Sequence, residues 1–145
     1  MLLRRAFLGA STAWLAMIPL ATFAASRPSA ASSIYTFALG VYAVGHFVCH
    51  QLPARSFHLW GAALPVCARC TGIYAGAATT AILLGLGRRR FETNQTRLVF
   101  LLALIPTAAT LVFEWTTGVM PANWIRALAG LPMGAAVAWA IGMVN

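Results

Sequence analysis

The chain contains no lysine and no aspartate, and its only acids are Glu92 and Glu114. Charged residues make up 8% of its 145 positions, against about 25% in ordinary soluble domains. So little charge excludes a conventional water-soluble globule. With 61% hydrophobic residues and a mean hydropathy of +0.80, a membrane protein is the class that fits. The shortage of acids also removes the paired carboxylates that acid–base hydrolysis needs. No glycine-rich phosphate loop and no nucleotide, sugar or haem motif is present, so an enzyme is not the favoured reading. The net charge of +8 rests on ten arginines. They are scattered at the ends of apolar stretches with no basic face, which argues against nucleic acid as a partner. Phospholipid headgroups and membrane topology account for them better.

What is there in abundance is apolar sequence, and it divides into five segments. A membrane span needs roughly 20 apolar residues, so the expectation is an all-α polytopic bundle of about five transmembrane helices. The whole of 1–145 reads as a single membrane domain, with an N-terminal helix in 1–30 and a core bundle over 34–144. The first segment, Ala6 to Ala25, follows Arg4 and Arg5 and ends in small residues. A cleaved signal peptide has the same shape and would leave four helices; a retained helix is preferred.

A connector at 26–33 leads to the second segment, Ile34 to His50, which Pro53 closes. A loop over 51–65 carries Trp60-Gly61. The third helix is expected to start near Pro65 and to stop at Arg88-Arg89-Arg90. The fourth runs from Leu98 to Trp115 with a kink at Pro106, and the fifth from Asn123 to Val144 with Pro132 inside. Gly72/Gly76 and Gly130/Gly134 form Gly-x-x-x-Gly steps, read as close packing within the bundle or as a weaker dimer seam.

Charge and helix count conflict. With five crossings, a cytoplasmic N-terminus puts Arg88–Arg90 and Arg97 outside, against the positive-inside tendency. An outer N-terminus satisfies that run but not Arg4 and Arg5. The run is the larger charge, so the 51–65 loop is expected on the outer face of a prokaryotic inner membrane.

All three cysteines and all three histidines lie between His46 and Cys70. On a helix, His46, Cys49 and His50 share a face, and Cys67 and Cys70 are one turn apart. Cys49, Cys67, Cys70 and either His46 or His50 make a tetrahedral set suited to zinc. Copper or an iron–sulfur centre would accept the same soft ligands. His58 is an alternative fourth ligand. The rival chemistry is a reactive Cys67-x-x-Cys70 pair at a helix start, with Arg69 beside it to favour the thiolate. Three cysteines fit the paired-disulfide scheme of quinone-linked thiol oxidoreductases poorly. Free, buried cysteines are the remaining possibility.

The string Cys49-His50-Gln51-Leu52-Pro53-Ala54-Arg55-Ser56-Phe57, then Pro65-Val66-Cys67-Ala68-Arg69-Cys70-Thr71-Gly72, resembles the signature of a domain-of-unknown-function family of small bacterial and archaeal membrane proteins. Asn123-Trp124-Ile125-Arg126 with Gly130 and Gly134 is similar to that family's second motif. The resemblance spans roughly 40–140 and leaves the first helix outside. The chain departs from the pattern at Ala54, where the family has Glu, and at Glu114, near where it has Asp. Relatives carrying Asp in place of Cys70 would suit a metal ligand better than a disulfide partner. The resemblance implies a site and no activity.

Glu114 and Arg126 face one another across a short turn, so a charge pair in lipid is expected. Helix alternation puts them, with Asn123, Arg55 and Arg69, at the same membrane face as the cysteines, where an anionic ligand or headgroup would fit. The favoured function is a zinc-holding accessory or assembly subunit of a larger membrane complex or homo-oligomer. A thiol–disulfide or quinone-linked oxidoreductase is the alternative, and an oligomeric metal carrier a second one.

Overall fold

A computed structural model describes residues 2–27, 32–86 and 96–143. Glu92, the expected stop at Arg88–Arg90 and the middle of the 26–33 connector lie outside the described residues. Among those described, the chain forms five helices: α1 (Leu2–Ala25), α2 (Ser32–Val48), α3 (Ala68–Leu86), α4 (Thr96–Thr117) and α5 (Asn123–Met143). The fold is an all-α bundle. α1, α4 and α5 are long and apolar enough to cross a membrane. α2 is equally apolar but shorter, and α3 is diluted by small residues and threonines.

The centre of the bundle is the α3–α5 contact, and glycine is the reason. A Cβ added at Gly72 or Gly76 would collide with the carbonyls of Ala127 and Leu131. One at Gly134 would collide with that of Ile73. Each step of one helix therefore meets backbone of the other, and the two run parallel. Backbones this close gain dispersion contact in lipid, where no hydrophobic force drives helices together. The Gly-x-x-x-Gly steps thus pack within the chain. α4 covers α5 in antiparallel fashion, with the Thr107 hydroxyl donating to the Ala129 carbonyl at 2.8 Å.

α1 lies on the other side of α3. Leu8 approaches Gly85, Trp14 meets Tyr74 edge to face at 5.9 Å, and Ile18 packs with Val66 and Cys67. These levels descend along one helix as they rise along the other, so α1 and α3 are antiparallel. α2 packs against the last turns of α1, through Ala38 and Val41 on Ala21 and Ala24.

Two local features depart from the sequence reading. α3 begins at Ala68 rather than near Pro65; Cys67 occupies its N-cap, and residues 64–67 are irregular and buried. The 51–65 loop is not featureless. A 3-10 turn at Pro53–Arg55 is followed by a hairpin, β1 (His58–Leu59) and β2 (Ala62–Ala63), in antiparallel register. Trp60 and Gly61 fill its two turn positions with φ of 53° and 82°, the conformation a tight two-residue hairpin requires. Strands of two residues leave no alternation to read in the sequence.

Candidate metal centre

The chain arrives at the cluster from two directions. Cys49 follows the last turn of α2, its N–H bonded to the Gly45 carbonyl at 2.9 Å. Cys67 caps α3, and Cys70 stands on its first turn. The loop between is folded back by Gln51, which adopts φ 48°. Its side-chain amide donates to the Tyr42 carbonyl at 2.8 Å and to the Pro65 carbonyl at 2.7 Å. The Tyr42 hydroxyl reaches on to the Ala63 carbonyl. Gly45 is required beneath this clasp, since a Cβ there would strike Pro65 and Gln51.

The result is a compact trio. Cys49, Cys67 and Cys70 are all free thiols, and their sulfurs lie within 4.8 Å of one another. The Cys67 N–H donates to the Cys49 sulfur at 3.1 Å. Ile18, Leu64 and Val66 wall the trio, with Trp14, Phe57 and Tyr74 packed around them. Cys67 is held well below an ordinary thiol, at about 5, from a starting value of 9.0. The Cys70 thiol donating to it is the largest cause. Burial opposes the shift, while the Cys70 backbone N–H, the Cys49 thiol and the charge of His50 add to it. That backbone bond is the usual N-cap contact, a side-chain acceptor satisfying a first-turn N–H.

The expected histidines do not join the sulfurs. His46, His50 and His58 are all exposed, and among the described residues no fourth histidine, cysteine or carboxylate completes the set. His50 Nδ1 instead accepts from the Leu52 N–H at 3.2 Å. Helical spacing put His46 and Cys49 on one face, but the loop closes on the sulfur alone.

Arg69 also departs from expectation. Between two cysteines in sequence, it turns away from them, and its Nη2 donates to the Thr110 hydroxyl at 3.2 Å. Cys67, Cys70 and Tyr74 face α1, whereas Arg69, Gly72 and Ile73 face α5 and α4. The thiolate therefore owes its stabilisation chiefly to hydrogen bonds, with a smaller part from His50 and none from Arg69.

On that far side of α3, at the same end of the bundle, a second polar group forms. Glu114 is paired with Arg126, 2.8 Å away, and with Arg55. Their side chains are 7%, 3% and 33% exposed respectively. Asn123 donates to the Ser56 carbonyl at 2.9 Å, and the Ser56 hydroxyl donates to Leu52. Arg55, Glu114, Asn123 and Arg126 stand at the cysteines' end of the bundle. Their partners are each other, and they tie the loop to α4 and α5. Gln51 and Gly45 were not singled out from the sequence. The signal available was a glutamine two residues after the first cysteine, just before Pro53 closes the helix.

A family described as "Predicted membrane protein (DUF2085)" matches residues 49–140, from the first thiol into the last turns of α5. The chain belongs to this family. It is 38% identical over 69 residues to an uncharacterized protein of Methanocaldococcus jannaschii, covering 47% of this chain and 44% of that one. It is 39% identical over 93 residues to an uncharacterized protein of Methanothermobacter thermautotrophicus, covering 63% of this chain and 82% of that one. The chain thus spans less than half the length of the first relative and most of the second. No solved structure matches it. The family, with the apolar helices, makes this a membrane protein in contact with the bilayer.

Proposed function

We propose that the protein holds a single thiophilic metal ion, zinc first, at the outer face of a prokaryotic inner membrane. In this reading it serves as an accessory or assembly subunit of a larger membrane complex. One observation carries it: three free sulfurs from two separate chain segments lie within 4.8 Å of one another. Sulfurs sharing one zinc at about 2.3 Å stand roughly 3.8 Å apart, so the trio needs at most a small closure to bind. Copper(I) suits three thiolates equally well by softness. A polynuclear iron–sulfur centre fits less well, because cysteines on separate irons must stand farther apart. Cys67, already inclined to the thiolate, supplies the charge a cation needs, and the fourth position is open to water or to a partner's donor. An accessory role is supported by the shortage of acid–base groups, since Glu114 is occupied by Arg55 and Arg126.

The test is elemental analysis of protein purified anaerobically in detergent, alongside thiol counting. The expected result is one zinc per chain, lost in Cys49→Ser and in Cys67→Ser while the chain stays folded. A metal-free protein carrying a Cys67–Cys70 disulfide would favour the second reading, thiol–disulfide exchange, which the acidified Cys67 also supports. In that case the two thiols lose two electrons and two protons to a membrane quinone, leaving a disulfide and a quinol.

A further inference from the structure

We infer that α2 does not cross the membrane. It is seated in the outer leaflet with the 49–66 loop, and the chain crosses four times, through α1, α3, α4 and α5. The observation is the direction of α1. Leu8 meets Gly85, Trp14 meets Tyr74, and Ile18 meets Cys67. Antiparallel packing of this kind puts the end of α1 and the start of α3 at the same end of the bundle. The chain between them must then return to the side it left, which one spanning helix cannot do. Among the described residues, α2 packs mainly on the later turns of α1 and on the loop. Its 17 residues measure about 25 Å at 1.5 Å per residue.

The occupant of its outer face follows from composition. α2 has no Asp, Glu, Lys or Arg, and Leu39 and Phe47 are 62% and 89% exposed. That face is as apolar as the lipid-facing sides of α1 and α4, with which it shares one end of the bundle. The acyl region of one leaflet covers it at no desolvation cost. Trp60 on the hairpin, packed on Phe23, and Trp115 and Trp124 at the ends of α4 and α5 are exposed at this same end. Tryptophan is favoured at the headgroup level.

Four crossings also remove the charge conflict. Arg5 near the start of α1 and Arg97 in the first turn of α4 now lie at one end. The sequence joining α3 to α4 carries Arg88–Arg90 as well. The opposite end carries Arg27, Arg55, Arg69 and Arg126, with Arg55 and Arg126 sharing the single charge of Glu114 and Arg69 bonded to Thr110. The positive-inside tendency then makes the arginine-richer end cytoplasmic and turns the cysteines outward.

The experiment is cysteine labelling of the full-length chain with a membrane-impermeant maleimide, with sites read by peptide mapping so that the native thiols stay in place. In intact cells, Ser29→Cys and Ala54→Cys are both expected to label, and Thr93→Cys only after permeabilisation. Labelling of Ser29→Cys and Ala54→Cys from opposite sides means that α2 crosses, and overturns the inference. So does labelling of Thr93→Cys from outside. Leu39→Cys tests the lipid seat in vesicles rebuilt from purified protein, where it should stay unlabelled until SDS is added. Labelling in those vesicles means that water or a lost protein partner covers α2 in the cell, and refutes the leaflet. The pattern reads the same whether or not a metal is bound, so it fails or stands independently of the metal reading.

Discussion

Glu114→Gln isolates the energetic weight of the polar group behind α3. The substitution keeps shape, removes one charge and turns one acceptor oxygen into an NH2 donor. Arg126 is 3% exposed and Glu114 7%, so neither can turn to water when the other is lost. Breaking such a buried pair from one side costs about 3–5 kcal/mol, because a bare charge is left inside. Arg55, a third exposed, is solvated at its outer edge, and its share is on the order of 1 kcal/mol or less. At roughly 3 °C per kcal/mol for a chain of this size, Glu114→Gln should lower the melting midpoint in detergent by about 10 °C. Arg55→Ala should lower it by no more than about 3 °C on the same scale. The double variant Glu114→Leu/Arg126→Met should recover most of the loss, since an apolar replacement of a buried pair is close to neutral. A Glu114→Gln protein melting within about 2 °C of the parent, by that scaling, would falsify the ion-pair account. It would mean that the Glu114–Arg126 pair carries no measurable pairing energy.

Two further outcomes follow from the packing and the thiols. Gly134→Ala should destabilise by about 1–3 kcal/mol through overpacking against Ile73. Gly40→Ala, where a Cβ meets nothing within 4 Å, should be neutral or gain up to about 1 kcal/mol; equal melting shifts for the two would count against the α3–α5 seam. In metal-free protein, Cys67 sits at about 5 against a starting 9.0. Its thiolate therefore stabilises the fold above that starting value, and the contribution fades as pH falls through about 5. Ultraviolet titration should show one thiolate per chain at neutral pH, vanishing near pH 5 and absent in Cys67→Ser; a spectrum without thiolate at neutral pH contradicts this.

The reading of the sequence succeeded where a local pattern has one physical solution. Long apolar runs can satisfy their backbone in lipid only as helices, so the five helices could be placed from composition. Paired glycines at helical spacing pointed to close contact, and the short turn at Gly118 to an α4–α5 hairpin. Cysteines on one helix end and the next helix start were legible as neighbours for the same reason. The histidines misled because spacing ranks a face and not a direction: His46 is one turn before Cys49, yet only the sulfur turns under the loop. Arg69 misled in the same way, adjacent in sequence but on the other side of α3.

By itself, then, the sequence determined the solvent of this protein, its helices and the set of residues capable of chemistry, because those follow from composition and short-range period. The tertiary structure decided what no local pattern encodes. Gln51 and Gly45 fold the loop back so that three thiols meet and three histidines do not. The glycine seam sets α3 against α5, leaving the far side of α3 to α1 and the cysteines. The antiparallel α1 brings its own end to the level of the cluster. Each of these depends on which backbones can approach one another, and that is a property of the packed bundle alone.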